Sequence, residues 1–405
     1  MAGVQNEKIE FDEFHIKGEV HPYYKKVADI FRQNFENDLE HAGASFAVYY
    51  KNELLINIYG GYRNVNEMLP WENETMSVCF STTKSISSVI LAYILDKYHI
   101  SYDTKIISFW PEFGSNGKEE ITILDATLHQ AGLAYFNEKL TREDILDHEK
   151  ISKMFENATP MIEKGNIIYH ALTFGLLLEQ IIRRIDEKKR SIAQILDEDF
   201  IAKYDIKDLS IGLKNRKDNE KVAILTKLDE KMVQKQAERN PKAYELYMSG
   251  DNIHHQKLYE IFSWITTDDY NLIENRLLPM PSNMGISSAK ALAKFHSLLS
   301  TKRILSTQFY KLFEKPVLEN AFDHGIGYTE SKGYGFQFTK NPLNQWVFGH
   351  SGFGGQNVRV DMHNELTFAY ISNGLKIEDA DMVLPWNNLV KEVYNIFERV
   401  PNYEI

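Results

Sequence analysis

Serine and lysine stand three residues apart at Ser81–Lys84, Ser115–Lys118 and Ser287–Lys290. Such a pair does chemistry only if geometry and burial cooperate. A serine hydroxyl is a weak nucleophile without a base, and a solvated lysine, with a pKa of about 10.4, is protonated at neutral pH. On a helix, residues i and i+3 share a face with Cβ atoms about 5–6 Å apart, so hydroxyl and amine can meet. Burial disfavours the ammonium, and so does the positive N-terminal end of a helix. Both effects leave the amine freer to take a proton. The same helix end offers the serine N–H to a developing oxyanion.

Context separates the three pairs. Ser115–Lys118 lies in a Gly/Asn loop, where both side chains are expected to be solvated. Ser287 precedes a helical pattern and reads as its N-cap. Ser81–Lys84 opens the most apolar helix of the chain, Ser81 to Tyr98, whose interior Ile86 to Leu95 is apolar nearly all round and therefore expected to be buried. Cys79 should pack in the interior just ahead of it. Other chemistries lack their motifs. There is no phosphate loop, no Gly-x-Gly-x-x-Gly and no His-Glu-x-x-His, and a single cysteine excludes a thiolate zinc site. Gly349-His-Ser351-Gly-Phe353 misses the last glycine of a hydrolase elbow.

The elements that must position the pair follow from periodicity. Residues 22–41 read as an amphipathic helix. Phe46 to Tyr50 and Leu54 to Tyr59 read as a hairpin that Gly60-Gly61 ends. Helical signals dominate from about 100 to 320, with helices at Ile167 to Ile185, Ile192 to Tyr204, Val222 to Arg239 and Ser288 to Leu299. Strands return at Gly335 to Thr339, Gln345 to Phe348, Asn357 to Met362 and Leu366 to Ser372, before a last helix over 380–398. The fold class expected is α+β, an α/β sandwich: one antiparallel sheet built from both terminal segments, flanked by helices, with a mostly helical insertion. The boundaries expected are 20–100 plus 325–405 for the sheet domain and 101–324 for the insertion lining the cleft.

Two further segments carry polar residues in apolar surroundings: Ile168-Tyr169-His170-Ala171-Leu172-Thr173-Phe174-Gly175 and Phe348-Gly349-His350-Ser351-Gly352-Phe353-Gly354-Gly355. With Phe80-Ser81-Thr-Thr-Lys84-Ser85 ahead of them, the sequence resembles the serine β-lactamase and penicillin-binding-protein-like superfamily, in its branch of class C-like esterases and eukaryotic β-lactamase-related proteins. His129-Gln-Ala-Gly132-Leu133 and Asn283-Met-Gly285-Ile-Ser-Ser288 add to the match, which spans about residues 25–398 and is loose over 205–275. The resemblance implies an acylated nucleophile at Ser81. Lys84 and Tyr169 share the general-base and general-acid work, and titrate jointly, so either can take the Ser81 proton. His350, Ser351 and Gly352 stand where the family has Lys-Thr-Gly beside the active site, and the Phe353 N–H is the second oxyanion donor beside that of Ser81. No metal and no organic cofactor are implied. Ala171 replaces an asparagine that would grip a substrate carbonyl. His350 replaces a lysine, so the fixed cation facing a substrate carboxylate is lost at neutral pH. His129 and Gln130 are expected only to shape the cleft.

Composition bounds the rest. The chain has 405 residues, 43% of them hydrophobic, enough for a packed core. Its net charge of −11 disfavours nucleic-acid partners. The basic cluster Lys188, Lys189, Arg190 is expected on a solvated face. No apolar run approaches the roughly 20 residues of a membrane span, and residues 1–10 show no secretory signal, so a cytoplasmic location is expected. The function expected is hydrolysis of a small-molecule ester, amide or peptide-like substrate through a Ser81 acyl-enzyme. The alternatives are a catalytically idle ligand sensor or assembly protein, and a transacylase.

Overall fold

The computed structural model describes residues 5–249 and 253–400. A large antiparallel sheet runs through the centre. Its strands are β1 (Glu7–Phe11), β2 (Ile16–Val20), β3 (Gly43–Tyr50), β4 (Glu53–Asn64), β5 (Leu318–Asp323), β6 (Tyr328–Gly333), β7 (Phe336–Lys340), β8 (Trp346–Gly352), β9 (Gln356–Asp361) and β10 (Leu366–Ser372). They lie in the order β1-β2-β4-β3-β10-β9-β8-β7-β6-β5, with Leu69–Pro70 paired to β4 off that path. The two ends of the chain meet at the middle, where Phe46 of β3 faces Tyr370 of β10.

Both faces of the central strands are covered, so those strands read as continuous apolar runs. Alternate residues serve opposite cores. Phe46, Val48 and Tyr50 join a cluster with helix α1 (Lys25–Glu36) and helix α5 (Leu384–Phe397). Ala47 and Tyr49 join the larger cluster on the other face. That cluster holds helices α2 (Thr83–Lys97), α3 (Thr173–Ile185) and α4 (Ala289–Ser300). A small three-stranded sheet of Ser77–Val78, Leu209–Ile211 and Gly285–Ser287 abuts the start of α2. The α/β fold class expected from the sequence is the one observed.

Several local expectations fail for identifiable reasons. The strand expected to stop at Gly60-Gly61 runs on to Asn64, because glycine lets neighbours come close there. A Cβ on Gly60 would lie 2.6 Å from Ile16 of β2. The helix expected from Ile167 begins only at Thr173; Ile167 bridges Asp323, Ile168 N–H donates to the His129 carbonyl at 3.1 Å, and a turn at 171–172 leads into the helix. Residues 222–229 are likewise extended, with bridges from Val222 to Met76 and Thr226 to Gly374, and the helix starts at Glu230 behind an Asp229 cap. The cap of α4 is Ser288 rather than Ser287. Lys118 is not solvated: it is fully buried, its ammonium donating to the carbonyls of Ser115, Glu156 and Ala158. Arg190 is no free surface charge either, being buried against Asp186, Glu198 and Asp199. Strands β1, β2, β5 and β6 have no counterpart in the sequence reading.

Candidate active site

The site forms where α2 meets the 167–172 segment and the end of β8. Ser81 sits in a single 3-10 turn, Phe80–Thr82, that leads into α2. Phe80 has φ +45°, a left-handed conformation that costs an ordinary side chain about 1–2 kcal/mol. Its ring is held at 4.6 Å from Tyr270 and 5.5 Å from Phe353, so packing fixes the strained turn. The Thr83 hydroxyl donates to the Phe80 carbonyl at 2.6 Å and accepts from Gly285 N–H at 2.8 Å, tying the turn to the small sheet. Every residue from Thr82 to Ala92 is buried, with Cys79 in the core just ahead, whereas Ser81 keeps partial access to solvent.

Lys84 is fully buried, and its Nζ lies 3.1 Å from Ser81 Oγ, 2.7 Å from the Ala171 carbonyl and 3.1 Å from the Ser282 carbonyl. An ammonium donates to all three. A neutral amine keeps its two N–H bonds on the carbonyls and turns its lone pair to accept the Ser81 hydroxyl. The neutral form is favoured, because burial, and secondarily the positive charge of Lys332, push Lys84 well below the ordinary lysine range.

Tyr169 is half-buried, and the nearby Ser81 side chain works to lower its phenol. Lys84 Nζ lies 4.9 Å from its ring centroid. The ring rests on His129 at 4.8 Å. Burial pushes the phenol well above its ordinary range and outweighs the opposing pull of Ser81, so the neutral phenol is favoured. His129 accepts the His170 N–H at Nδ1, 3.0 Å, and Gln130 donates to the Gly165 carbonyl at 2.7 Å.

The end of β8 closes the other side. Gly352 lies so near the nucleophile turn that a Cβ would fall 2.3 Å from the Cys79 carbonyl. The next residue, Phe353, is 46% exposed, its ring edge-on to Phe80. His350 is buried and donates from Nδ1 to the Ser351 carbonyl at 2.6 Å. Burial, then the nearby Lys84, push it well below the usual imidazole range, so it carries no charge at neutral pH. Ser351 is buried with its N–H on Gln337 Oε1 at 2.8 Å. All seven residues singled out from the sequence therefore gather at one place.

Four residues that the sequence reading did not single out complete the surroundings. Asp323 Oδ1 accepts the Tyr169 N–H at 2.9 Å and the Gly325 N–H at 2.8 Å, and its Oδ2 pairs with Lys332 Nζ at 3.2 Å. Lys332 also pairs with Glu330 at 2.5 Å, and Glu330 accepts from Gln337 Nε2 at 3.0 Å. Lys332 Nζ lies 5.5 Å from the Tyr169 ring centroid. The signal for them was the turn Asp323-His-Gly325-Ile-Gly327 between two short polar segments, and the i, i+2 spacing of Glu330 and Lys332 on one face. Among the described residues no cluster of three or more His, Cys, Asp or Glu side chains is arranged to hold a metal ion, and no helix is long and apolar enough to cross a membrane.

The serine–lysine–tyrosine cluster lies between a buried helix and the end of an interior strand of the sheet. The Beta-lactamase family model matches residues 31–390. The esterase/β-lactamase LipL of Mycobacterium tuberculosis is 31% identical over 163 residues, 39% of this chain and 38% of that protein. The chain thus aligns with well under half the length of that relative. A family VIII carboxylesterase superposes with a TM-score of 0.81 at 24% identity, covering 94% of this chain and 99% of the other. A penicillin-binding protein homologue from Caulobacter crescentus superposes with a TM-score of 0.77 at 24% identity over the same shares. The chain belongs to the β-lactamase family.

Proposed function

We propose that the protein is a serine hydrolase that cleaves an ester or amide of a small molecule through an acyl-enzyme on Ser81. The observation that carries this reading is the fully buried Lys84, with its amine 3.1 Å from Ser81 Oγ and its other two hydrogen-bonding positions occupied by carbonyls. Neutral Lys84 takes the Ser81 proton as Oγ bonds to the substrate carbonyl carbon. The oxyanion is held between the backbone N–H groups of Ser81 and Phe353. Tyr169 gives its phenolic proton to the departing alcohol or amine and recovers one from Lys84. Water then attacks the ester, its proton passes to the same pair, and the acid leaves with Ser81 restored.

The uncharged His350 supports a substrate without a carboxylate beside the scissile carbonyl. The similarity to LipL and to a carboxylesterase supports an ester. Substrate choice is assigned to the helical insertion at roughly 200–280, whose Tyr270 packs on Phe80 beside the nucleophile. The test is Ser81→Ala against a p-nitrophenyl ester. Turnover is expected to vanish while the thermal transition stays within a few degrees of the parent, and a fluorophosphonate is expected to label Ser81. Unchanged turnover in the variant removes the mechanism.

A further inference from the structure

The position that would face a substrate from β8 carries neutral His350, yet the site does not lack a cation. Lys332 of β6 is 3% exposed, and burial works against its charge, but Glu330 and Asp323 together outweigh burial and hold it protonated. The strand register explains how it reaches the site. Lys332 pairs with Gln337 of β7, and Gln337 pairs with Gly349 of β8. Side chains then form one continuous polar chain across three strands. Ser351 N–H donates to Gln337, Gln337 donates to Glu330, Lys332 donates to Glu330 and pairs with Asp323, and Asp323 accepts the Tyr169 N–H. The chain ties the strand that ends at Gly352 to the backbone of Tyr169. The Lys84 amine and the Lys332 ammonium lie 4.9 and 5.5 Å from the centroid of the Tyr169 ring.

We propose that Lys332, clamped between Asp323 and Glu330, is the positioning residue of this active site: it fixes Tyr169 through Asp323 and supplies from β6 the fixed positive charge that β8 lacks. This rests on the reading of Ser81, Lys84 and Tyr169 given above. Its electrostatic consequence falls on Lys84. The charged and titratable groups around Lys84 and Tyr169 are His129 behind the ring, His170 next to it, His350 on β8, Tyr328, Glu330 and Lys332 on β6, Asp323 of β5 and Asp379 ahead of α5. Among them Lys332 is the group that opposes a proton on Lys84, next after burial itself.

The test compares the full chain with Tyr169→Phe, Glu330→Gln/Lys332→Gln, Lys332→Arg and Asp323→Asn, reading kcat, KM and the pH dependence of kcat/KM on a p-nitrophenyl ester. The double variant removes Lys332 and Glu330 together and leaves Asp323 held by the N–H groups of Tyr169 and Gly325. It is expected to lower kcat by roughly tenfold to 10²-fold, the scale of a displaced reacting group, with KM little changed. Its acid limb is expected to move up, because Lys84 then binds its proton more readily. Lys332→Arg keeps the charge and is expected to keep the parental acid limb. Asp323→Asn removes a negative charge, so its acid limb is expected to move down, a sign that loosened packing cannot produce; it decides the matter if the double variant does not fold. A folded double variant, or Asp323→Asn, with parental kcat and parental acid limb overturns the proposal while Tyr169→Phe remains impaired. Parental activity in Tyr169→Phe overturns the role of Tyr169 and the proposal with it.

Discussion

Replacing Gly352 by alanine tests how the end of β8 serves the nucleophile. The added methyl would stand 2.3 Å from the Cys79 carbonyl oxygen, 2.8 Å from the Thr82 hydroxyl and 3.0 Å from Gln356 Cβ. An ordinary carbon–oxygen contact needs about 3.3 Å. The strand must therefore retreat from the turn by about 1 Å, and the nearest obstacle is backbone, which cannot swing aside as a side chain could. That retreat carries the Phe353 N–H away from the oxyanion it is proposed to hold. A misplacement of that size costs roughly 10²-fold in rate, and full loss of one oxyanion donor costs about 10²–10³-fold. We expect kcat/KM on a p-nitrophenyl ester to fall by about 10²-fold. The packing cost is about 1–3 kcal/mol, visible as a lower urea midpoint. A variant that folds and turns over within threefold of the parent refutes the reasoning, since the strand would then be free to move without consequence.

Two further outcomes follow from the same geometry. In Gly325→Ala the new methyl would lie 2.6 Å from the Tyr169 nitrogen and 3.0 Å from its Cβ, so Tyr169 must shift; kcat is expected to drop by roughly 10²-fold with Ser81 still labelled by a fluorophosphonate, and parental kcat would contradict it. The pH dependence of stability reports the buried histidines. His170 and His296 are each pushed down to about 4, by burial first, against the weaker opposing effect of the carbonyls of Ile168 and Leu292. The unfolded chain takes up these protons below about 6.5 while the folded chain refuses them, so stability falls as pH drops from about 6.5 toward 4, by about 1.4 kcal/mol per pH unit for each histidine. Urea midpoints across that range are expected to show a shallower slope in His296→Gln, and an identical slope would refute the assignment.

How far the sequence reveals this arrangement depends on where each segment lies in the sheet. β3, β4 and β10 sit near the middle, covered on both faces, and their apolar runs announce them. β1 reads Glu-Lys-Ile-Glu-Phe and β5 reads Leu-Glu-Asn-Ala-Phe-Asp. Both lie at the two edges, where charge guards against pairing with another chain and also erases the pattern by which strands are recognised. Ser81 and Lys84 were legible because local helical spacing joins them. Tyr169 was legible through resemblance alone, since its segment is extended rather than helical. Asp323, Glu330, Gln337 and Lys332 lie on three neighbouring strands, β5, β6 and β7, and apart from the i, i+2 spacing of Glu330 and Lys332 they come together only through cross-strand register, which no local spacing records. Their polar side chains, taken one at a time, look like any solvated surface.

The meeting of β3 with β10 has a consequence for how the protein comes into being. Ser81 and Lys84 emerge early in synthesis, yet the strand that faces them, and the partner that seals the sheet on its other side, arrive almost 300 residues later. Until Leu366–Ser372 docks, β3 presents an unpaired apolar edge, and the reactive hydroxyl has no opposite wall. Joining segments so distant in the chain makes assembly slow and leaves a vulnerable interval. The same arrangement makes hydrolytic competence a late event, withheld from the growing chain until its final strand is in place.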